Sequence, residues 1–283
     1  MNSKKVVIPA KAGVQVSHKL LKTLDSGLAV IPDHDPGRND GKRHFPTSNE
    51  TITLGTEKTL IFGGDNMDKP FENYWKVRLG DLKNVLESNN FEVFLTDNSI
   101  EAKELVLEEI LPKTGAKSVS WGGSMTFIDT GLYEAIKANP DLEVLDTFDK
   151  NIPAEEKIEF RRKSIFVDLF ITGTNAVTEA GQLVNLDMIG NRITAITFGP
   201  KNVVIMIGRN KIVPDLDEAM FRIKNYTAPV NAMRLNMKTP CVKTSYCEEC
   251  NSTDRICNTW TVTEKSFPRG RVKVVLINED LGI

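Results

Sequence analysis

The sequence predicts an α/β fold: a mostly parallel sheet flanked by helices, with an inserted β-hairpin and a cysteine-rich loop near the C-terminus. Three observations lead there. Short apolar strands alternate with amphipathic helices from residue 71 onwards. The run "NVVIMIG" (202–208) is apolar almost throughout, as suits a strand covered on both faces. The stretch "GTNAVTEAGQLVNLDMIGNRITAITFG" (173–199) interrupts the alternation with strand-turn-strand character around Glu179, Ala180 and Gly181.

The elements follow in order. "FENYWKVRLGDLKNVLESN" (71–89) sets Trp75, Leu79, Leu82, Val85 and Leu86 at helical spacing. "FEVFLT" (91–96) reads as a strand. Asn98 with Glu101 forms a capping box that opens the helix "SIEAKELVLEEIL", and Gly115 ends that region. "AKSVSW" (116–121) is a second strand, and "GGSMTFIDTGLYEAIKANP" turns into one helix that stops near Pro140. "LEVLD" (142–146) is a strand, "AEEKIEFRRKSIFV" (154–167) a helix and "DLFITG" (168–173) a strand. Asp215 as N-cap with Glu218 three residues later starts the helix "DLDEAMFRIKNY". "RVKVVLINEDLG" (271–282) is expected as an antiparallel or edge strand. No internal repeat is evident.

Composition narrows the function class. With 40% hydrophobic and 26% charged residues the chain reads as globular, and it has no uninterrupted apolar run long enough to span a bilayer. Lys4 and Lys5 lack an apolar segment behind them, because Pro9, Lys11, Gln15, His18 and Lys19 interrupt it; a cytoplasmic location is the expectation. In that compartment clustered cysteines bind metal or do redox chemistry more often than they form structural disulfides. A formal net charge of −2 gives no case for nucleic acid or membrane binding.

Residues 1–66 stand apart. They are rich in Pro, Gly, Asp and Asn, and their periodicity does not persist beyond a turn or two. "VIPAKAG", "LDSG" and "RNDG" look like the translation of a dispersed bacterial DNA repeat. "FGGDNM" (62–67) can be encoded with a ribosome-binding sequence ahead of Met67. The expectation is a disordered or mis-annotated extension over 1–66 and a single domain over 67–283. All three histidines, His18, His34 and His44, lie in the extension. It also holds nine of the 36 Lys/Arg and seven of the 38 Asp/Glu, which leaves 67–283 with a net charge of −4. Without histidine, a Ser-His-Asp triad, a Cys-His dyad and a histidine-ligated metal are excluded from 67–283.

Four loops are placed together at the carboxyl edge of the sheet, where open α/β folds bind ligands. In "SWGGSMT" (120–126), Gly122 and Gly123 let backbone N–H groups approach an anion, and Ser124 and Thr126 add hydroxyls at a helix start. The alternative is a glycine turn with Ser124 as an ordinary N-cap. "TGTNAVTEAGQLVN" (172–185) contributes Thr172, Gly173 and Asn175, with Glu179 as a candidate base or nucleophile or, alternatively, a solvated turn carboxylate. "GNR" (190–192) offers Asn191 and the Arg192 fork, and "RNKIVPD" (209–215) offers Asn210 and Lys211.

The motifs "VSWGGSMT", "DLFITGTNAVTEAGQLVNLDMIGNR", "GPKNVVIMIGRNKIVPDLDEA" and "NEDLG" together resemble the LUD domain family, over about residues 71–283. The resemblance implies the fold of the ribose-5-phosphate isomerase, glucosamine-6-phosphate deaminase and CoA-transferase superfamily. It also implies a role in bacterial lactate utilization beside an iron-sulfur oxidising complex. "TEAGQ" is similar to the Glu-x-Gly element that carries the catalytic glutamate of CoA transferases, which places that role on Glu179. The chain lacks the tandem ferredoxin-type cysteines of the longer iron-sulfur member and is closer to the short single-domain members.

All four cysteines lie in "CVKTSYCEECNSTDRIC" (241–257). Cys247 and Cys250 form a chelating C-x2-C pair that Cys241 and Cys257 flank. Four thiolates suit zinc or an iron-sulfur cluster, although the spacing matches neither a ferredoxin run nor a symmetric zinc ribbon. Disulfides or free thiols are the alternative. Three functions remain in view. One is a LUD-type protein of lactate or organic-acid utilization that binds an anionic small molecule carrying phosphate or carboxylate. Another is a CoA-transferase- or isomerase-like enzyme using Glu179. The third is a non-catalytic subunit whose cysteine loop docks to an iron-sulfur redox partner.

Overall fold

The computed structural model describes residues 69–283, and beyond these only the backbone of an antiparallel ribbon pairing 52–54 with 58–60. The chain divides into two units, Met1–Gly64 and Asp65–Ile283. The expectations about residues 1–66 otherwise lie outside the described residues.

The larger unit is built on a six-stranded sheet, every neighbouring pair of which is parallel. Its strands are β1 (Glu92–Thr96), β2 (Ser118–Trp121), β3 (Glu143–Leu145), β4 (Leu169–Gly173), β7 (Asn202–Gly208) and β10 (Val272–Ile277). They run in the order β1-β10-β7-β4-β2-β3. The inserted hairpin is present as β5 (Ala176–Thr178) and β6 (Leu183–Asp187), turned at Gly181 with φ +77°. It anchors a second, four-stranded mixed sheet: β8 (Ile212–Val213) pairs parallel with β5, and β9 (Thr259–Thr263) antiparallel with β6.

Buried apolar side chains cover both faces of the main sheet. One face packs Val119, Trp121, Ile171, Val204, Met206 and Val275 against helices that include α2 (Ser99–Leu105). The other packs Val203, Ile205, Ile207, Val274 and Leu276 against α1 (Pro70–Ser88), through Leu79, Leu82 and Leu86. This explains the absence of alternation in "NVVIMIG". The predicted helix starts also appear: Asn98 Oδ1 accepts from Glu101 N at 2.9 Å, and Asp215 Oδ1 accepts from Glu218 N at 2.9 Å.

Two expectations are corrected. Strand β10 is neither antiparallel nor at an edge; it lies between β1 and β7 and is parallel to both. Lys273 within it is buried, and its ammonium reaches Asn202 Oδ1 at 3.0 Å and Gly270 O at 2.8 Å. The helix expected from Gly122 to Pro140 is two, α4 (Met125–Asp129) and α5 (Leu132–Lys137), because Gly131 takes a left-handed φ of +72° between them.

Candidate ligand-binding site

Strands β2, β4 and β7 end on the same side of the sheet, and the chain leaving them walls a cavity of about 720 Å³. That size suits a small ligand with room for solvent. Gly123 and Ser124 follow β2; Gly173, Thr174 and Asn175 close β4 and lead into the hairpin; Lys211 follows β7. Leu186, Asp187, Asn191 and Arg192 enter from the end of β6 and the start of α7 (Asn191–Thr197). Thr227, Asn231 and Arg234 come from the late helix that includes α9 (Ala228–Arg234). Tyr133 and Phe148 bring one edge of an aromatic cluster that packs them around buried Trp121.

The cavity is rich in positive charge. Lys150, Lys157, Arg161, Arg192, Lys211 and Arg234 line it, against the side-chain carboxylates of Glu134, Asp149 and Asp187. Lys157 and Arg161 are four apart on α6 (Lys157–Lys163), so one helical face presents both. Four of these cations, Lys150, Lys157, Arg161 and Arg234, were missed by sequence reasoning. Their signal was the Lys157/Arg161 spacing inside "EKIEFRRK", which by itself is the pattern of a solvated helix face.

Arg192 plays a different part from the one expected. Its Nε donates to Asp187 Oδ1 at 2.9 Å, Nη1 to Asn185 Oδ1 at 2.8 Å and Gly173 O at 3.1 Å, and Nη2 to Asn175 Oδ1 and Asp187 Oδ1, both at 2.7 Å. The protein engages all three guanidinium nitrogens, so Arg192 is a buried cross-link between the hairpin and β4 and leaves no free fork for an anion. Gly122 belongs to the same packing: a Cβ there would meet Arg192 Cγ at 2.9 Å and Thr172 Oγ1 at 3.1 Å.

Lys211 is the unusual group. It is fully buried, and its one hydrogen bond among the described residues runs from Nζ to Thr126 Oγ1 at 2.6 Å. Among those residues it makes no ion pair. Burial pushes its pKa down to about 7, Arg222 and Arg192 push in the same direction, and Asp129 opposes them.

The remaining expected residues fall in three places. Gly123, Ser124, Gly173, Asn175 and Asn191 line the cavity with Arg192 and Lys211. Ser124 also serves as the N-cap of α4, accepting from Phe127 N at 3.2 Å, and this helix is only five residues long. Thr126, Thr172 and Asn210 stand behind the wall. Thr126 holds Lys211, Thr172 Oγ1 is buried without a hydrogen-bond partner among the described residues, and Asn210 Oδ1 accepts from Leu281 N at 3.2 Å. Glu179 lies elsewhere. It sits half exposed at the hairpin turn, 2.7 Å from Arg78, and is not among the residues that line the cavity.

The cysteines converge on a second, small cavity of about 20 Å³, lined by Cys241, Cys247, Cys250 and Cys257 with Ala228, Pro229, Ala232 and Ile256. All four are free thiols. Among the described residues no three His, Cys, Asp and Glu side chains stand in metal-holding geometry. Helix α9 separates the two cavities: Asn231 and Arg234 face the large one, Ala228, Pro229 and Ala232 the small one.

Among the described residues no helix is long and apolar enough to cross a membrane. No curated protein matches the chain. Among solved structures, a DUF162 family protein from Deinococcus radiodurans, whose crystal structure is at 1.70 Å resolution, is similar at 12% identity and a TM-score of 0.41. The match covers 72% of this chain and 98% of that one. Residues 79–277 match the family described as LUD domain. The chain is a member of the LUD domain family.

Proposed function

We propose that this protein binds a small organic anion, a carboxylate or phosphate ester, in the large cavity at the carboxyl edge of the sheet. The observation that carries the reading is the excess of cations on the cavity wall, together with Lys211, buried there without a counter-ion among the described residues. An anion placed beside Lys211 would supply that counter-charge, and Lys157 and Arg161 on α6 would attract it from the rim. The aromatic edge of Tyr133 and Phe148 gives a small apolar body something to pack on. Lactate or a related hydroxy or oxo acid is the first candidate, because the family resemblance points to organic-acid utilization.

The reading in which Glu179 acts as a CoA-transferase-type nucleophile draws no support from its position beside Arg78, away from the cavity. Equilibrium dialysis of the full chain against lactate, pyruvate, phosphate and a sugar phosphate tests the proposal. Saturable binding of one of them, weakened when Lys157 and Arg161 are both replaced by Ala, is expected. Binding that is absent across the panel, or indifferent to the double variant, overturns it.

A further inference from the structure

We propose that Cys241, Cys247, Cys250 and Cys257 form an all-thiolate site for a single zinc ion, which pins the cysteine loop against helix α9.

The donor set comes first. Four soft sulfur ligands with no histidine in the described residues suit tetrahedral zinc. They are spread over 17 positions of chain, yet all four line one small cavity. Ala228, Pro229, Ala232 and Ile256 give it an apolar side, and Lys224, Thr239, Glu248 and Arg255 complete its polar rim. Size then separates the two metal forms. A cavity of about 20 Å³ is close to the ~10–15 Å³ that one water-sized sphere occupies. That is the room a single ion needs, and a cluster would require the loop to open rather than to close on it.

The surroundings fit the charge of such a site. Four thiolates around a divalent ion carry a net charge of about −2. Lys224 Nζ lies 3.7 Å from Cys247 Sγ, and Arg255 donates to the carbonyls of Cys250 at 2.9 Å and Cys257 at 3.0 Å. Glu249 shares both cations, 2.7 Å from Lys224 and 3.6 Å from Arg255, and holds them in place over the loop. Thr239 Oγ1 stands 3.2 Å from Cys241 Sγ. Such outer partners orient thiolate ligands and temper their charge.

The loop itself needs a clip. Residues 245–258 form neither helix nor strand. Ser245 and Glu249, on either side of Cys247, are non-glycine residues held at φ +64° and +47°. Backbone of this kind persists only where other contacts fix it. Since no three of the sulfurs are yet in metal-holding geometry, binding must draw them inward across the cavity. The irregular backbone between Cys247 and Cys257 allows that movement.

The test is elemental analysis and thiol titration of the full chain, purified without added metal or chelator. One equivalent of zinc is expected, with the four thiols unreactive toward a thiol reagent until the metal is extracted. Replacement of zinc by cobalt should give the intense near-ultraviolet and visible bands of thiolate coordination. Cys250→Ser should lose the metal, and the wild-type measurements stand by themselves if that variant fails to fold. Iron with labile sulfide, a disulfide found by mass, or a folded chain with four freely reactive thiols and no zinc would each overturn the assignment.

Discussion

Replacing Lys211 by Met should change the pH dependence of stability. In the folded chain the amine has a pKa of about 7 against an ordinary value of 10.5. Keeping it charged inside the protein therefore costs about 5 kcal/mol. Below pH 7 the folded and unfolded chains both hold the proton, and stability does not depend on it. Between pH 7 and about 10.5 the unfolded chain binds a proton that the folded chain lacks, so stability rises with pH. Across pH 7 to 9 the wild type should gain about 2 kcal/mol relative to Lys211→Met. The packing change caused by the substitution is the same at every pH and drops out of the slope.

Urea denaturation of both proteins at pH 6, 7, 8 and 9 measures it. The difference should be nearly flat from pH 6 to 7 and then move in favour of the wild type. A difference that stays constant from pH 7 to 9 would mean that Lys211 finds a counter-ion or solvent, and the reasoning about its burial would fail.

Other outcomes follow from the same contacts. Anion affinity should weaken above pH 7, by up to about tenfold per pH unit, because the ligand favours protonated Lys211; calorimetric titration at pH 6.5, 7.5 and 8.5 reads this directly. Arg192→Ala should cost about 3–5 kcal/mol in denaturant unfolding, since it strands Asp187 in a buried position without its 2.7 Å partner. Glu179→Gln should change stability by no more than about 0.5 kcal/mol and leave anion binding unaltered, because the Arg78 pair is a partly exposed surface contact. Asn98→Ala should cost about 1 kcal/mol through loss of the cap on α2.

The fold was legible where one local rule decided the outcome. Apolar runs such as "NVVIMIG" gave the buried parallel strands, and the side chains of Asn98 and Asp215 marked helix starts that depend only on residues three positions away. Strand β10 was misplaced because its partners, β1 and β7, lie far from it in sequence and nothing local marks it as central; the long stem of its buried Lys273 lets the ammonium reach polar groups at the end of the sheet. Strand β9 was missed because "TWTVT" pairs with β6, more than 70 residues earlier in the chain.

The site divides along the same line. Residues in the turns directly after β2 and β4, such as Gly123, Ser124 and Gly173, were placed at the cavity by their position after a strand. Arg192 was found, but its use was not, since the acceptors that engage it come from two separate segments, 173–175 and 185–187, that only the folded hairpin brings together. Lys157, Arg161 and Arg234 went unnoticed because nothing local distinguishes a cation facing a cavity from one facing water.

The most direct test of the anion-binding reading is a crystal structure of the full chain with the tightest ligand of the dialysis panel. Ligand density inside the cavity, with an anionic oxygen hydrogen-bonded to Lys211 Nζ and Arg161 or Lys157 turned toward it, is the expected result. A ligand bound outside the cavity, or inside it with no contact to Lys211, would contradict the reading.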